Sequence, residues 1–438
     1  IFTGSTEVAR LINQTLAKRD DSPVLIAETG GQNAMIVDST ALAEQVCADV
    51  LNSAFDSAGQ RCSALRILCV QEDVADHMIK MIKGAMDELV VGNPIALDTD
   101  IGPVIDTEAQ QNLLAHINRM KGIAKSYHEI RPSENVNPDN ATFVAPIMFE
   151  LNGLGELQRE VFGPVLHVVR YPADGLDKLI DQINGKGYAL THGVHSRIDG
   201  TVEHIRSRIE SGNVYVNRNI VGAVVGVQPF GGHGLSGTGP KAGGSFYLQR
   251  LSRLKEWTAP TLSKIGQVDE AALKRLETLL HGLPLPQSEK MAAAASLGQS
   301  RVRTLRKAES VLSGPTGERN VLSWHAPARV WLYGGSLAAS FTALVSLASA
   351  GVQAVVLPDH PLAAYADRLD GLLAVTDKPE AAGISHVAAL EPLPSARKQV
   401  LANRDGALVR ILPSENGLDI LQVFEEISCS INTTAAGG

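Results

Sequence analysis

Three features of the sequence predict an α/β protein. Short apolar, strand-like runs alternate with stretches of helical period, glycine-marked turns join the two, and 438 residues suffice for two or three domains with cores of their own. The first residues set the pattern. Phe2-Thr3-Gly4-Ser5 precedes Thr6 to Lys18, where Val8, Leu11, Ile12 and Leu16 recur at helical spacing, so a strand passes through a Gly-Ser turn into a helix. That is one βα step of a parallel sheet, and Ile1-Phe2 reads as the end of a strand already in progress.

The next elements follow in order. Pro23 to Glu28 is a short apolar strand broken by Gly30-Gly31, and Ala34 to Val37 is another. Helical stretches at Leu42 to Ala54 and Asp73 to Leu89 alternate with strands at Leu65 to Val70 and Val165 to Val169. Gly226 to Gly244 is a glycine-dense loop, and Phe246 to Trp257 alternates in the manner of an edge strand. An amphipathic helix lies around Ala271 to Leu280, and a polar connection follows, ending in Ser313-Gly314-Pro315-Thr316-Gly317.

Val330 to Pro358 carries no charged residue and is long enough to span a bilayer. Its interior favours a buried βαβ unit instead: a strand at Val330 to Tyr333, a turn at Gly334-Gly335-Ser336, a helix at Leu337 to Ala350 closed by Gly351, and a strand at Val352 to Leu357. The turn lacks the GxGxxG spacing of a dinucleotide site.

Hydrophobic content of 44% with 20% charged residues suits a folded globular chain, and a formal charge of −8 gives no basic footprint for nucleic acid. Cys47, Cys62, Cys69 and Cys429 form no CxxC pair and no zinc-ligand spacing, so no metal is expected and a reducing, cytoplasmic setting fits best. The start lacks a signal-peptide pattern, and the chain is expected to begin inside a larger protein.

Chemistry concentrates in two segments, Phe55-Asp56-Ser57-Ala58-Gly59-Gln60-Arg61-Cys62-Ser63 and Glu28-Thr29-Gly30-Gly31-Gln32-Asn33, with Glu28 lying 34 residues before Cys62. They resemble the active-site motifs of the aldehyde dehydrogenase superfamily. The resemblance implies Cys62 as the nucleophile that adds to an aldehyde and Glu28 as the general base that activates water to hydrolyse the resulting thioester. Both roles suit the residue types: a thiolate is a soft nucleophile, a carboxylate is a competent base, and Arg61 beside Cys62 favours the thiolate. A buried, inert cysteine is the bland alternative for Cys62, and it is the preferred reading for the other three cysteines.

The same resemblance implies NAD as cofactor, held by three groups of residues. Glu160 of Glu160-Val161-Phe162-Gly163-Pro164 would take the nicotinamide ribose hydroxyls, Phe162 would pack near the nicotinamide, and Thr3, Gly4 and Ser5 at a helix N-terminus would suit the pyrophosphate. Within the superfamily, the run from Asn219 to Gly232 is similar to the pyrroline-5-carboxylate dehydrogenase branch, whose substrate is glutamate semialdehyde. The matching substrate positions are Ser63, Gly222 and Ala223 for the carboxylate, Arg61 for positive charge and Phe230 for the aliphatic stem.

Gly314-Pro315-Thr316-Gly317-Glu318, the βαβ unit and the end Ile431 to Gly438 resemble the C-terminal region of the long proline utilization A proteins, which join an FAD-dependent proline dehydrogenase to an aldehyde dehydrogenase. The implied fold is an aldehyde dehydrogenase catalytic domain with the end of a Rossmann-type NAD domain, followed by a degenerate Rossmann-like domain. Expected regions are the NAD-domain remnant at 1–30, the catalytic domain at 31–230, the loop and oligomerisation flap strand at 231–260, linker and helices at 261–320, and a covering domain at 321–438. The first half of the cofactor sheet, an adenosine-ribose lysine, an oxyanion-hole asparagine and the FAD domain are expected upstream of Ile1, which leaves activity of residues 1–438 alone in doubt. Implied partners are the aldehyde substrate, those upstream domains and a second copy joined through the flap. The longer protein is expected to be cytoplasmic, with peripheral attachment to the inner membrane compatible. Two rivals stand beside this reading: an aldehyde dehydrogenase of other specificity, such as a succinate semialdehyde enzyme, and a non-catalytic assembly or lid module.

Overall fold

The computed structural model describes all residues except 22, 132–140, 253–256, 303 and 435–438. They form two compact units that interleave along the chain. One unit comprises Thr29–Gln228, Ser313–Asn320 and Cys429–Gly438, and the other Ile1–Glu28, Pro229–Leu312 and Val321–Ser428.

The unit built on residues 29–228 holds a central sheet in which Asn213–Val216, Thr191–His195, Ala34–Val37, Ile67–Gln71, Val165–Tyr171, Ile147–Glu150 and Ser126–Glu129 lie side by side in that order. Every pairing is parallel except the last. The strand Ala34–Val37 is buried at all four residues, as expected of a parallel strand covered on both faces by helices. The helices Ala43–Phe55 and Glu72–Asp87 bury Val46, Val50, Ile79 and Ile82 in the same hydrophobic core as that strand, matching the helical spacing in the sequence within a residue or two. At the Asn213–Val216 edge the sheet continues into Cys429–Asn432 and then Glu318–Asn320, so two short segments from far along the chain complete this unit.

The other unit contains a five-stranded parallel sheet in the order Leu373–Val375, Gln353–Val356, Arg329–Tyr333, His386–Ala389, Arg410–Pro413. Counted along the chain, that order is 3-2-1-4-5, the arrangement of a dinucleotide fold. The uncharged stretch is its first βαβ unit, with helix Leu337–Ser349 capped by the Ser336 hydroxyl and closed at Gly351, whose φ is +76°. Among the described residues no helix is long and apolar enough to cross a membrane. Gly334 and Gly335 both take positive φ, and the Gly335 N–H donates to Glu391 Oε1 at 3.1 Å. The Glu391 carboxylate therefore takes up a backbone N–H of the first βα turn, the turn that carries the phosphate-binding glycines in dinucleotide folds.

The flap region departs from the expected strand. Tyr247–Leu251 forms a short helix, while residues 253–256 lie outside the described residues. Burial explains the difference. Phe246 and Trp257 pack together with ring centroids 5.0 Å apart inside a core shared with Leu273, Leu276 and Phe424. Gln249 ties the ends by donating to Thr258 O and accepting from Thr258 N. Anchoring both aromatic rings inward overrides the alternation that suggested an edge strand.

Candidate active site

In the unit built on residues 29–228, Cys62 lies just after a tight turn that the sequence makes with three successive left-handed residues, Ser57, Ala58 and Gly59, at φ of 56°, 53° and 65°. Gly59 is required sterically, because a Cβ there would run into the Gly163 carbonyl. Asn33 fixes the segment after the turn. Its amide donates to Cys62 O at 2.7 Å and Ala64 O at 2.8 Å, and its side-chain oxygen accepts from Thr191 N at 3.1 Å. Thr191 in turn donates its hydroxyl to Ser63 O. Ser63 is buried, Cys62 is half-buried and Arg61 is exposed, with Arg61 Nε donating to Ser57 Oγ.

Arg66 joins this turn to the Glu160–Phe162 segment. Its guanidinium is buried and donates to Gly59 O at 2.7 Å, Gly163 O at 3.1 Å and Arg61 O at 3.1 Å; Nη2 lies 3.5 Å from Glu160 Oε1. Its Cζ stands 5.3 Å from the centre of the Phe162 ring. Burial lowers the Arg66 pKa, and the charge of Glu160 opposes that shift. Phe162 remains 44% exposed. Gly30 is also constrained, since any Cβ there would collide with the Glu160 carboxylate. The structure therefore brings Arg61, Cys62, Ser63, Glu160 and Phe162 together. Arg66 is the residue that the motifs did not single out, and its one signal was a charge inside an apolar strand run.

Gly222 and Ala223 lie in the same unit, on the loop from Asn219 to Val227. Gly222 has φ +74° and nothing within 4 Å of an added Cβ, so the backbone is open there. The loop and the Cys62 segment are attached to the same helix end: Ser53 accepts through its carbonyl from Leu65 N and through its hydroxyl from Ile220 N.

The other unit carries Thr3, Gly4, Ser5, Glu28 and Phe230. Phe2–Thr3 pairs in parallel with Ala27–Glu28, and the Gly4 N–H donates to Glu28 O at 3.1 Å. Ser5 caps the helix Thr6–Leu16, its hydroxyl accepting from Val8 N. Glu28 Oε2 accepts from Gly232 N at 3.1 Å, while the buried Oε1 has no hydrogen-bond partner among the described residues. Burial pushes the Glu28 carboxyl up to about 8, outweighing the pull of the Gly232 N–H and of nearby Lys241. Lys241, missed in the sequence, is buried in the glycine-dense loop and donates from Nζ to Gly231 O at 2.5 Å. Burial depresses its pKa, so the uncharged form of each partner is favoured. Glu426 holds the loop by accepting from Lys241 N and Ser245 N. Phe230 pairs with Ala242 across the loop through both backbone hydrogen bonds.

One unit thus holds a half-buried cysteine on a turn of three left-handed residues, a residue type that can act as a nucleophile, and the other a carboxyl raised toward neutrality, a residue type that can act as a base. The chain belongs to the aldehyde dehydrogenase family, whose model matches residues 1–257. Over its whole length it is 45% identical to the bifunctional protein PutA of Escherichia coli (strain K12), spanning 35% of that protein, and 44% identical to that of Rhizobium meliloti, spanning 37%. The chain thus spans about a third of the length of these curated relatives. It is 34% identical, over 56% of its length, to the 1-pyrroline-5-carboxylate dehydrogenase of Geobacillus kaustophilus, covering 48% of it. A crystal structure of bifunctional proline utilization A is 60% identical with a TM-score of 0.55, covering 57% of this chain and 25% of that one. Proline utilization A from Corynebacterium freiburgense, 24% identical with a TM-score of 0.74, covers 99% of this chain and 41% of that one, a likeness of fold.

Proposed function

We propose that this chain oxidises L-glutamate γ-semialdehyde to L-glutamate, the second step of proline breakdown, as the dehydrogenase part of a bifunctional protein. The observation that carries the reading is the anchored Cys62 turn with Arg66, Glu160 and Phe162 beside it. The substrate is supported by the names of the relatives, bifunctional PutA and 1-pyrroline-5-carboxylate dehydrogenase.

NAD fits the residues present: the exposed Phe162 ring, the Glu160 carboxylate against Gly30, and the capped helix after Thr3-Gly4-Ser5 would hold it, and when bound it would supply the hydride acceptor. The Cys62 thiolate forms the S–C bond to the aldehyde carbon, and the new oxyanion takes hydrogen bonds from backbone donors that include the Cys62 N–H. Loss of hydride from that carbon leaves a thioester on Cys62. Water then attacks the thioester while Glu28 takes its proton at the unpartnered Oε1; the C–S bond breaks, glutamate leaves and the thiolate returns. Arg61, Ser63 and the Gly222 and Ala223 amides hold the substrate carboxylate, and Phe230 packs on its stem. FAD belongs to the proline-oxidising part of such a bifunctional protein.

The test is steady-state kinetics of the full-length natural protein on a panel of semialdehydes with NAD and NADP. Glutamate semialdehyde should give the highest kcat/KM. A higher value for succinate semialdehyde would replace this reading with the rival specificity.

A further inference from the structure

Arg218 and Gln228 stand at the two ends of the loop that carries Gly222 and Ala223, and both reach the same two groups. Arg218 Nη1 pairs with Glu318 Oε1 and donates to Ser430 Oγ at 2.9 Å. Gln228 Nε2 lies 3.2 Å from Glu318 Oε2, 3.1 Å from Ser430 Oγ and 3.3 Å from Asn320 Oδ1. Asn320 Nδ2 also donates to Glu318 Oε2, at 3.0 Å.

The Gln228 amide turns inward as well. Its oxygen accepts from Val224 N at 3.1 Å, one residue beyond Ala223, and the Gln228 N–H donates to Val224 O. Gln228 is 4% exposed, and the Arg218 and Glu318 side chains are largely buried, whereas Val225 at the loop tip is 97% exposed. The tip therefore has little packing of its own, and its position is set at its base.

Glu318 and Ser430 are themselves held. Thr433 N donates to Gly317 O at 2.8 Å, and Asn432 Nδ2 donates to Asn217 O at 3.1 Å, next to Arg218. Both segments belong to the same compact unit as the loop, although more than 80 residues separate each of them from it in sequence.

We infer that the Glu318–Gln228–Ser430 cluster is a specificity device: it positions the Gly222–Ala223 amides to receive the carboxylate of the substrate. The inference rests on the glutamate-semialdehyde reading above. Glu318 is the positioning residue because one carboxylate holds both loop ends, and charge-assisted hydrogen bonds from Arg218 and Gln228 are stronger than those a neutral group would make. The hydrogen bonds described for Glu318, Gln228 and Ser430 end on the loop base and on one another, so the cluster is expected to act on the carboxylate site and not on the chemical step of an aldehyde without a carboxylate.

The experiment compares wild-type, Glu318→Gln and Gln228→Met forms of the full-length natural protein on glutamate semialdehyde and on a neutral aliphatic aldehyde of similar length. Both variants nearly preserve side-chain size, and thermal melting reports whether each is folded. The expected result is a KM for glutamate semialdehyde raised about tenfold, the loss of roughly one positioned hydrogen bond, with kcat/KM for the neutral aldehyde unchanged. Glu318→Asp, which keeps the charge, should recover part of the loss. Equal losses on both aldehydes, or no loss on either, overturn the inference while leaving the proposed function standing if the wild type still prefers the semialdehyde. A wild type that does not distinguish the two aldehydes overturns both. If Glu318→Gln does not fold, Gln228→Met alone decides between these outcomes.

Discussion

Arg66 sits where a charge is costly, in a strand run that is otherwise apolar, and three backbone carbonyls together with Glu160 compensate it. Lysine has one ammonium and cannot match that fork. Arg66→Lys should therefore lower the melting temperature and weaken NAD binding together, because unpaired buried carbonyls cost about 1–3 kcal/mol each. Calorimetry and a cofactor titration check this, and unchanged NAD affinity would detach Arg66 from the cofactor. Glu28 gives a second prediction. A base must be deprotonated to accept a proton, and burial has raised this carboxyl to about 8, so thioester hydrolysis should slow as pH falls below that value and level off above it. Rapid-quench measurement of acyl-enzyme decay against pH would show the trend. In Glu28→Gln the decay should be slow at every pH, and a Glu28→Gln profile that still rises through pH 8 would exclude Glu28 as the titrating group.

At the scale of elements, the turn before Cys62 is the most constrained. Gly59→Ala places a Cβ against Gly163 O at a φ of +65°, a combination that costs on the order of 1–3 kcal/mol in backbone strain alone and forces the Cys62 segment or the Glu160–Phe162 segment to move. The expected outcome is a folded but unstable enzyme with reduced kcat, read by thermal melting and turnover; a variant with wild-type kcat would mean that the turn geometry does not matter. Elements of this kind were legible in the sequence. The strand Ala34–Val37, the helix after it and the βαβ unit at residues 329–356 follow from apolar runs and helical periods, because burial dictates both. The Tyr247–Leu251 helix was not legible, since alternation cannot reveal that Phe246 and Trp257 both turn into one core. Cys62, Glu28 and their neighbours came from short motifs, whereas Arg66, Lys241 and Gln228 act through partners distant along the chain. A single sequence carries no signal for such pairs beyond a polar residue in an apolar or glycine-rich run.

At the scale of the whole molecule, the two units interleave: the strand Glu425–Asn432 runs from one into the other, and Phe246 and Trp257 share a core with residues 322–424. A deletion from about residue 262 onward would not leave a trimmed dehydrogenase. It removes most of that core, the Glu426 carboxylate that holds the Lys241 loop, and Glu318 and Ser430. The truncated protein should aggregate or melt well below the intact one, and a monodisperse truncation with wild-type turnover would contradict the shared core. A neutral aldehyde leaves the carboxylate donors unpaired, at about 1–3 kcal/mol per group, so kcat/KM should fall roughly ten- to a hundredfold relative to glutamate semialdehyde. The most direct test of the central claim is to let the full-length Glu28→Gln enzyme react with glutamate semialdehyde and NAD, quench it in acid and map the modified peptide by mass spectrometry. A glutamyl thioester on Cys62, absent when NAD is omitted, is the predicted result. An acyl group on another residue, or full turnover by a Cys62→Ala variant, would contradict it.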